Sequence, residues 1–377
     1  MTYKLLLINP WEGEIFPPPS IGYLQASIKQ AFPSYNITAV DLNNLHMVND
    51  DYDLVGVSFH SFSVKQAGLI QNKFKKSKLI CGGHHPSSLP EQMKAMGYEV
   101  IIGEGENQLI QYLGGPENFY KNIDEYPIPD YTGLTGDWTY MGYPIISSRG
   151  CPFNCNFCAS SAFWNRKWQA RSAKNIITEI LHRIKENHII TWMFEDDNFT
   201  LNKDRTIEIC ERIVKDIHPT YGPMRWQCAS RAETLNDLDL CKALQQAGCD
   251  TVWIGVESLS QDSLDRISKR TTVDLMLNGI KMAESHGIHT MSQFIIGIPG
   301  DTIDNIMETS QRIRTSSISR FGSNICWILP NTDIHKKAKK YGFDDIEYLR
   351  TGDLFYTYEQ PMNTLYQWMH IINTSKN

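Results

Sequence analysis

The sequence predicts an α/β protein in which an open parallel sheet is followed by a partial (β/α)6 barrel and a short C-terminal cap. Three observations predict it. Up to residue 105, short β-rich apolar runs alternate with segments whose apolar residues recur at helical spacing, which implies parallel strands joined by crossovers. The stretch "GGPENFYKNIDEYPIPDYTGLTGDW" (114–138) is rich in Gly, Pro and Tyr and has no sustained period, which suits a boundary. From 144 the alternation resumes with a longer beat, in six strand-and-helix units. The chain left is too short for a closed eight-unit barrel.

In the first part the expected strands are "YKLLLIN" (3–9), "NITAVDL" (36–42), "DLVGVSF" (53–59), "KLICGG" (78–83) and "EVIIGEG" (99–105). Helices are expected at "SIGYLQASIKQAF", "KQAGLIQNKF" and "LPEQMKAMG". Between Asp41 and Asp53 there is little apolar periodicity, so the second crossover is short or missing. In the second part, strands are expected at 144–149, 189–196, 224–230, 250–257, 290–298 and 323–329. Helices are expected at 172–187, 203–217, 236–247, 260–285 and 302–314, with Gly248 and Gly287 where helix C-caps fall. The domains are thus a Rossmann-like sheet at 1–115, a linker at 116–143, the partial barrel at 144–330, and an aromatic-rich cap at 331–377.

The 377 residues are 41% hydrophobic and 21% charged, ordinary values for a folded chain. The net charge of −6 gives no general attraction to nucleic acid or anionic membranes. The basic runs "KFKKSK" (73–78) and "HKKAKK" (335–340) read as solvated faces. The N-terminus lacks the apolar run of a signal peptide, and no segment has the roughly 18 apolar residues of a membrane span. A cytoplasmic location is therefore expected, where the nine cysteines are reduced thiols suited to burial or metal binding.

Three of those thiols are gathered in "SSRGCPFNCNFCAS" (147–160). Cys151, Cys155 and Cys158 have the spacing C-x3-C-x2-C directly after the first strand of the second domain. A structural zinc site calls for four protein ligands, and no second Cys pair exists. A redox dithiol would leave Cys151 superfluous. Three thiolates on a four-iron cube leave one iron open to a substrate or cofactor. Such ligands at the end of a parallel strand lie where β/α barrels do their chemistry. The remaining thiols have no ligand spacing and read as buried. Of these, Cys326, on a predicted strand, is a weak candidate for hydrogen-atom donation.

This segment resembles the cluster motif of radical S-adenosylmethionine (radical SAM) enzymes. The resemblance continues in order through "EDDNFT" (195–200), "CASRAETL" (228–235), "GVES" (255–258) and "GIPGDT" (297–302), spanning about 144 to 335. It implies a radical SAM barrel with a [4Fe–4S] cluster on Cys151, Cys155 and Cys158, whose open iron chelates the amino and carboxylate groups of SAM. It also implies SAM contacts from Phe157, Glu195, Asp196, Asp197, Arg231, Glu257, Ser258, Gln293 and Ile298. Carboxylates suit an ammonium and a guanidinium suits a carboxylate. Among the acidic residues, Asp197 is the candidate for proton transfer.

The first domain resembles the cobalamin-binding domain of one branch of the same enzymes, through "PPPSIGYLQ" (17–25), "VSFHSFS" (57–63), "CGGHHPSSLP" (81–90) and "IIGEGE" (101–106). The residues implied are Ser58, His60, Ser61, Gly82, Gly83, His84, Gly103, Glu104 and Gly105. Many such domains carry D-x-H-x-x-G after the first strand; here "INPWEGEIFPPPS" stands instead, so no cobalt-binding histidine is expected there. The resemblance implies a cobalamin-dependent C-methyltransferase acting on a small molecule or peptide, with an electron donor such as flavodoxin or ferredoxin. A second reading keeps the radical step and replaces methylation by cyclisation, epimerisation or rearrangement. A third is an iron–sulfur electron carrier.

Overall fold

The computed structural model describes residues 2–11, 18–135, 142–345 and 354–376. Parts of the predicted linker and cap, and most of "WEGEIFP", lie outside the described residues. The chain divides into two compact units. Among the described residues no helix is long and apolar enough to cross a membrane.

The first unit comprises Met1–Tyr140 with Ala162–Asn165 and Phe343–Asp353. Its strands are β1 (Lys4–Asn9), β2 (Asn36–Asp41), β3 (Leu54–Ser58), β4 (Lys78–Gly82) and β5 (Glu99–Val100), in the spatial order β2-β1-β3-β4-β5. Every pairing is parallel. The interior strand β1 reads "KLLLIN" because both its faces are covered: Leu5 and Leu7 share a core with Ile21 and Ile28 of helix Pro19–Ala31, and Leu6 and Ile8 are buried on the other face. The curtailed crossover is a 3-10 turn, Leu42–Met47. Two expectations change. The fifth strand is two residues long instead of seven, and helix Gly105–Tyr112 begins where it was to end. In this strand order the connections after β1 and β3 leave in opposite directions, which opens a crevice at the strands' C-terminal ends.

The second unit comprises Met141–Ser161, Arg166–Gly342 and Leu354–Asn377. After β6 (Tyr143–Ile145), the short strands β7 (Ser148–Arg149) and β8 (Gln169–Ala170) pair antiparallel. Then follow β9 (Thr191–Phe194), β10 (Arg225–Ser230), β11 (Cys249–Glu257), β12 (His289–Ile296) and β13 (Arg320–Ile325). The six-stranded sheet runs β13-β12-β11-β10-β9-β6, all parallel, so spatial neighbours are chain neighbours once the small β7–β8 clip is set aside. Successive β/α units without a reversal produce this order.

Local chemistry places the helices. Ser172, Asn202, Asp237 and Thr272 cap the helices that follow them by accepting from the backbone N–H three residues on. One sheet face is sealed: Trp226, Cys228, Val252, Ile254, Phe294 and Ile296 are all buried. On β12 the alternate residues Met291, Gln293 and Ile295 are only half-buried, as are Gln227 on β10 and Trp253 on β11. Trp253 donates its indole N–H to Gln227 at 2.9 Å. The half-open face is therefore partly polar.

Candidate functional site

The three cysteines lie in the loop closed by the β7–β8 clip, in which Ser148 faces Ala170 and Arg149 faces Gln169. Gly150 enters that loop with φ +84°, a conformation that disfavours side chains. Cys151, Cys155 and Cys158 are all half-buried. Burial pushes the Cys151 thiol up to about 11, with Asp197, Cys158 and Cys155 adding to the effect; Cys158 is raised for the same reasons. The thiols therefore lie within electrostatic reach of one another, and thiolates so placed need a compensating positive charge. Among the described residues, no three Cys, His, Asp or Glu side chains are grouped as ligands of a single metal ion. The donor set, three soft sulfurs with one cation beside them, fits an iron–sulfur cluster.

That cation is Arg231, at the end of β10. Its Nη1 lies 3.7 Å from Cys155 Sγ, and its guanidinium carbon is 4.1 Å from the centroid of the Phe153 ring. Nη2 donates to the Lys269 carbonyl at 2.5 Å, and Nε donates to Glu233. Lys269 in turn pairs with Glu257 at 2.9 Å, both largely buried. Lys269 carries no signal in the sequence pattern, because a lysine within the segment read as one helix over 260–285 is indistinguishable from a surface charge.

The acidic run after β9 divides by role. Asp196 is buried and accepts from Ser147 N (2.7 Å), Ser147 Oγ (2.5 Å) and Ser148 Oγ (2.6 Å). Arg205 donates to the Ser147 carbonyl at 2.6 Å. Burial raises Asp196, while the Arg205 charge and these hydrogen bonds hold it down. Asp197 accepts from Ser160 Oγ at 2.6 Å and is braced by the Gly150 backbone. The two aspartates thus grip the cysteine loop on either side of its thiols. Glu195 is different: it makes no side-chain hydrogen bond or ion pair among the described residues. The residue is exposed to solvent at the end of β9. Desolvation, with help from the charge of Asp196, pushes it up to about 7.

The other expected SAM contacts are placed unevenly. Phe157 is half-buried between Cys155 and Cys158, and Gln293 lies on the half-open sheet face. Ser258 is buried with its hydroxyl bonded to Thr309 (3.1 Å), so it is occupied within the fold and not free for a ribose. Ile298 is buried, its N–H donating to Asp301 at 3.1 Å. Cys326 is also buried, and burial raises its thiol far above the usual range. It is sealed inside the fold, as the burial default expects of it, and not exposed as a hydrogen-atom donor.

In the first unit, Ser58 ends β3 and His60 follows it at the crevice. His60 meets Trp11 and Phe62 edge-on at ring-centroid distances of 5.1 and 5.3 Å. His84 stacks flat on Phe163 at 4.2 Å. Burial keeps His84 neutral, lowering it to about 4, and burial plus His84 lowers His60. Flat rings around an open crevice fit a large planar ligand. Ser61 is instead buried and bonded to His85 at 2.9 Å. Gly83 serves the fold directly: at φ +101°, a Cβ there would sit 2.6 Å from the Phe59 carbonyl. The Gly103 N–H donates to Ser87 Oγ at 3.0 Å, while Gly82 at the end of β4, Glu104, and Gly105 at the start of the next helix are half-buried.

Comparison with known proteins agrees with this arrangement. Residues 145–313 match the radical SAM superfamily. An uncharacterized methyltransferase of Pyrococcus horikoshii is 28% identical over 89% of this chain and 82% of its own length. The anaerobic magnesium-protoporphyrin IX monomethyl ester cyclase of Rubrivivax gelatinosus is 30% identical, over 50% of this chain and 36% of that protein. Among solved structures, the radical S-adenosylmethionine methyltransferase TsrM of Kitasatospora setae, with cobalamin and a [4Fe–4S] cluster bound, superposes with a TM-score of 0.77. It is 16% identical, over 90% of this chain and 78% of TsrM. The second unit therefore carries a radical SAM domain, over residues 145–313.

Proposed function

We propose that the protein is a cobalamin-dependent radical SAM C-methyltransferase acting on an unactivated carbon. One observation carries it: the second unit presents three thiols and an unpaired carboxylate at one end of a parallel sheet, and the first presents a ring-lined crevice at its switch point. Two methyltransferase relatives match 89% and 84% of this chain, whereas two cyclases match 50% and 61% of it. When bound, the cluster and SAM supply a 5′-deoxyadenosyl radical for hydrogen abstraction, and cobalamin supplies the methyl group.

The chain's own residues hold and orient. Cys151, Cys155 and Cys158 take the cluster. Asp196 and Asp197 fix the loop that carries them, and Glu195 faces the SAM amino group as a hydrogen-bond acceptor. Phe157 and Gln293 border the SAM site. His60 and His84 present flat, neutral rings to the corrin. The substrate is a small molecule or peptide, and a flavodoxin or ferredoxin delivers the electron. The second reading, a cyclase or rearrangement enzyme, is favoured by the likeness to the anaerobic cyclases of Rubrivivax gelatinosus and Cereibacter sphaeroides.

The test is anaerobic incubation with SAM and dithionite, followed by mass spectrometry of adenosyl products and bound corrinoid. The proposal predicts 5′-deoxyadenosine, S-adenosylhomocysteine and a stoichiometric corrinoid. Deoxyadenosine without corrinoid supports the cyclase reading instead, and neither product contradicts both.

A further inference from the structure

Arg231 is placed as no surface arginine is. Its side chain is 7% exposed, its guanidinium sits over the ring of Phe153 within the cysteine loop, and it points Nη1 at Cys155 Sγ. Its other two edges are held by Glu233 and by the Lys269 carbonyl. A guanidinium locked on three edges cannot swing to another partner without breaking those bonds.

The lock is built by an unusual stretch of backbone. Glu257 adopts φ +66°, where non-glycine residues rarely sit, at a register shift between β11 and β12. That bend aims its carboxylate at Lys269 Nζ. The space comes from Gly255: a Cβ there would lie 2.3 Å from Glu257 Oε1 and 3.2 Å from Lys269 Nζ. Lys269 sits between Ser268 and Arg270, both at positive φ, in the break between helices Gln261–Arg266 and Val273–Ser285. Several costly local conformations converge on fixing one backbone carbonyl, which receives Arg231.

We propose that Arg231 is the hydrogen-bond donor to the Cys155 thiolate that sets the reduction potential of the cluster, and that the Glu257–Lys269 pair is its positioning device. This rests on the cluster assignment above and replaces the SAM-carboxylate contact that the sequence resemblance implies for Arg231. A donor and positive charge beside a ligating sulfur stabilise the reduced, more negative cluster, which raises its potential.

Two variants of the reconstituted full chain test this, Arg231→Met and the charge-neutral double variant Glu257→Gln with Lys269→Met. Iron and sulfide content, the EPR-monitored midpoint potential without SAM, and the Kd for SAM are read for each. The expected result is wild-type iron content, a midpoint shifted to more negative values in both variants, and retained SAM affinity. An unchanged midpoint with SAM binding weakened about tenfold or more would overturn the proposal, since that is the loss of a charge-assisted carboxylate contact. If Arg231→Met fails to take up iron, Arg231→Gln, which removes the positive charge, is read: a shift of the same sign supports the proposal and none contradicts it. Absence of a cluster in the wild-type chain counts against the functional assignment instead.

Discussion

Asp196 receives both the backbone N–H and the hydroxyl of Ser147, at 2.7 and 2.5 Å, four residues before Cys151. The end of β9 thereby fixes where the cysteine loop leaves β6. Replacing Asp196 by Ala strands the N–H of Ser147, the hydroxyls of Ser147 and Ser148, and the nearby Arg205 charge. A loss of about 3 kcal/mol or more in urea denaturation is expected, with iron uptake falling in parallel. Asp196→Asn, which keeps the shape and one acceptor, is expected to lose less. Unchanged stability in Asp196→Ala would show that the bonds do not hold the loop.

Glu195 titrates near neutrality because it is desolvated beside Asp196. Its folded-state value lies above its unfolded one, so its contribution to stability is present at low pH and is lost as pH rises through about 7. Its contribution to SAM binding has the opposite sense, because the ionised carboxylate is the stronger acceptor for the N–H groups of the SAM amino group. SAM affinity is expected to rise across pH 6 to 8, and Glu195→Gln is expected to flatten that rise. Equilibrium binding at fixed ionic strength measures both.

Gly255→Ala places a methyl group against the Glu257–Lys269 pair. About 2 kcal/mol of destabilisation is expected, from overpacking around a buried ion pair. Chemical denaturation measures it, and a wild-type midpoint would mean that the pair moves aside freely.

Gly83→Ala combines a positive φ with a 2.6 Å approach to the Phe59 carbonyl. The loop joining β4 to the crevice is expected to rearrange, at a cost of about 2 kcal/mol. Corrinoid retention is expected to drop while iron content is kept, as measured by absorbance and iron assay on one preparation.

The sequence makes the cysteine trio and the strand alternation legible because both are written in short spacings. The C-cap glycines are legible for the same reason: Gly248 and Gly287 adopt positive φ just past their helices. Features set by distant partners are not. The pattern reads 260–285 as one helix, yet the structure breaks it at Ser268–Arg270 to bring Lys269 beneath Glu257. It reads the last strand as 323–329, but β13 is Arg320–Ile325. Cys326 and Ile328 instead exchange backbone hydrogen bonds with Tyr356 and Leu354. Three adjacent carboxylates look equivalent in one dimension, and only their partners separate the two clamps from Glu195.

The most direct measurement is Mössbauer and EPR spectroscopy of the anaerobically reconstituted chain, with and without SAM. The account predicts a four-iron cluster with one distinct iron whose signal changes when SAM is added, absent from Cys155→Ala. A bound zinc ion, or a cluster indifferent to SAM, would contradict it.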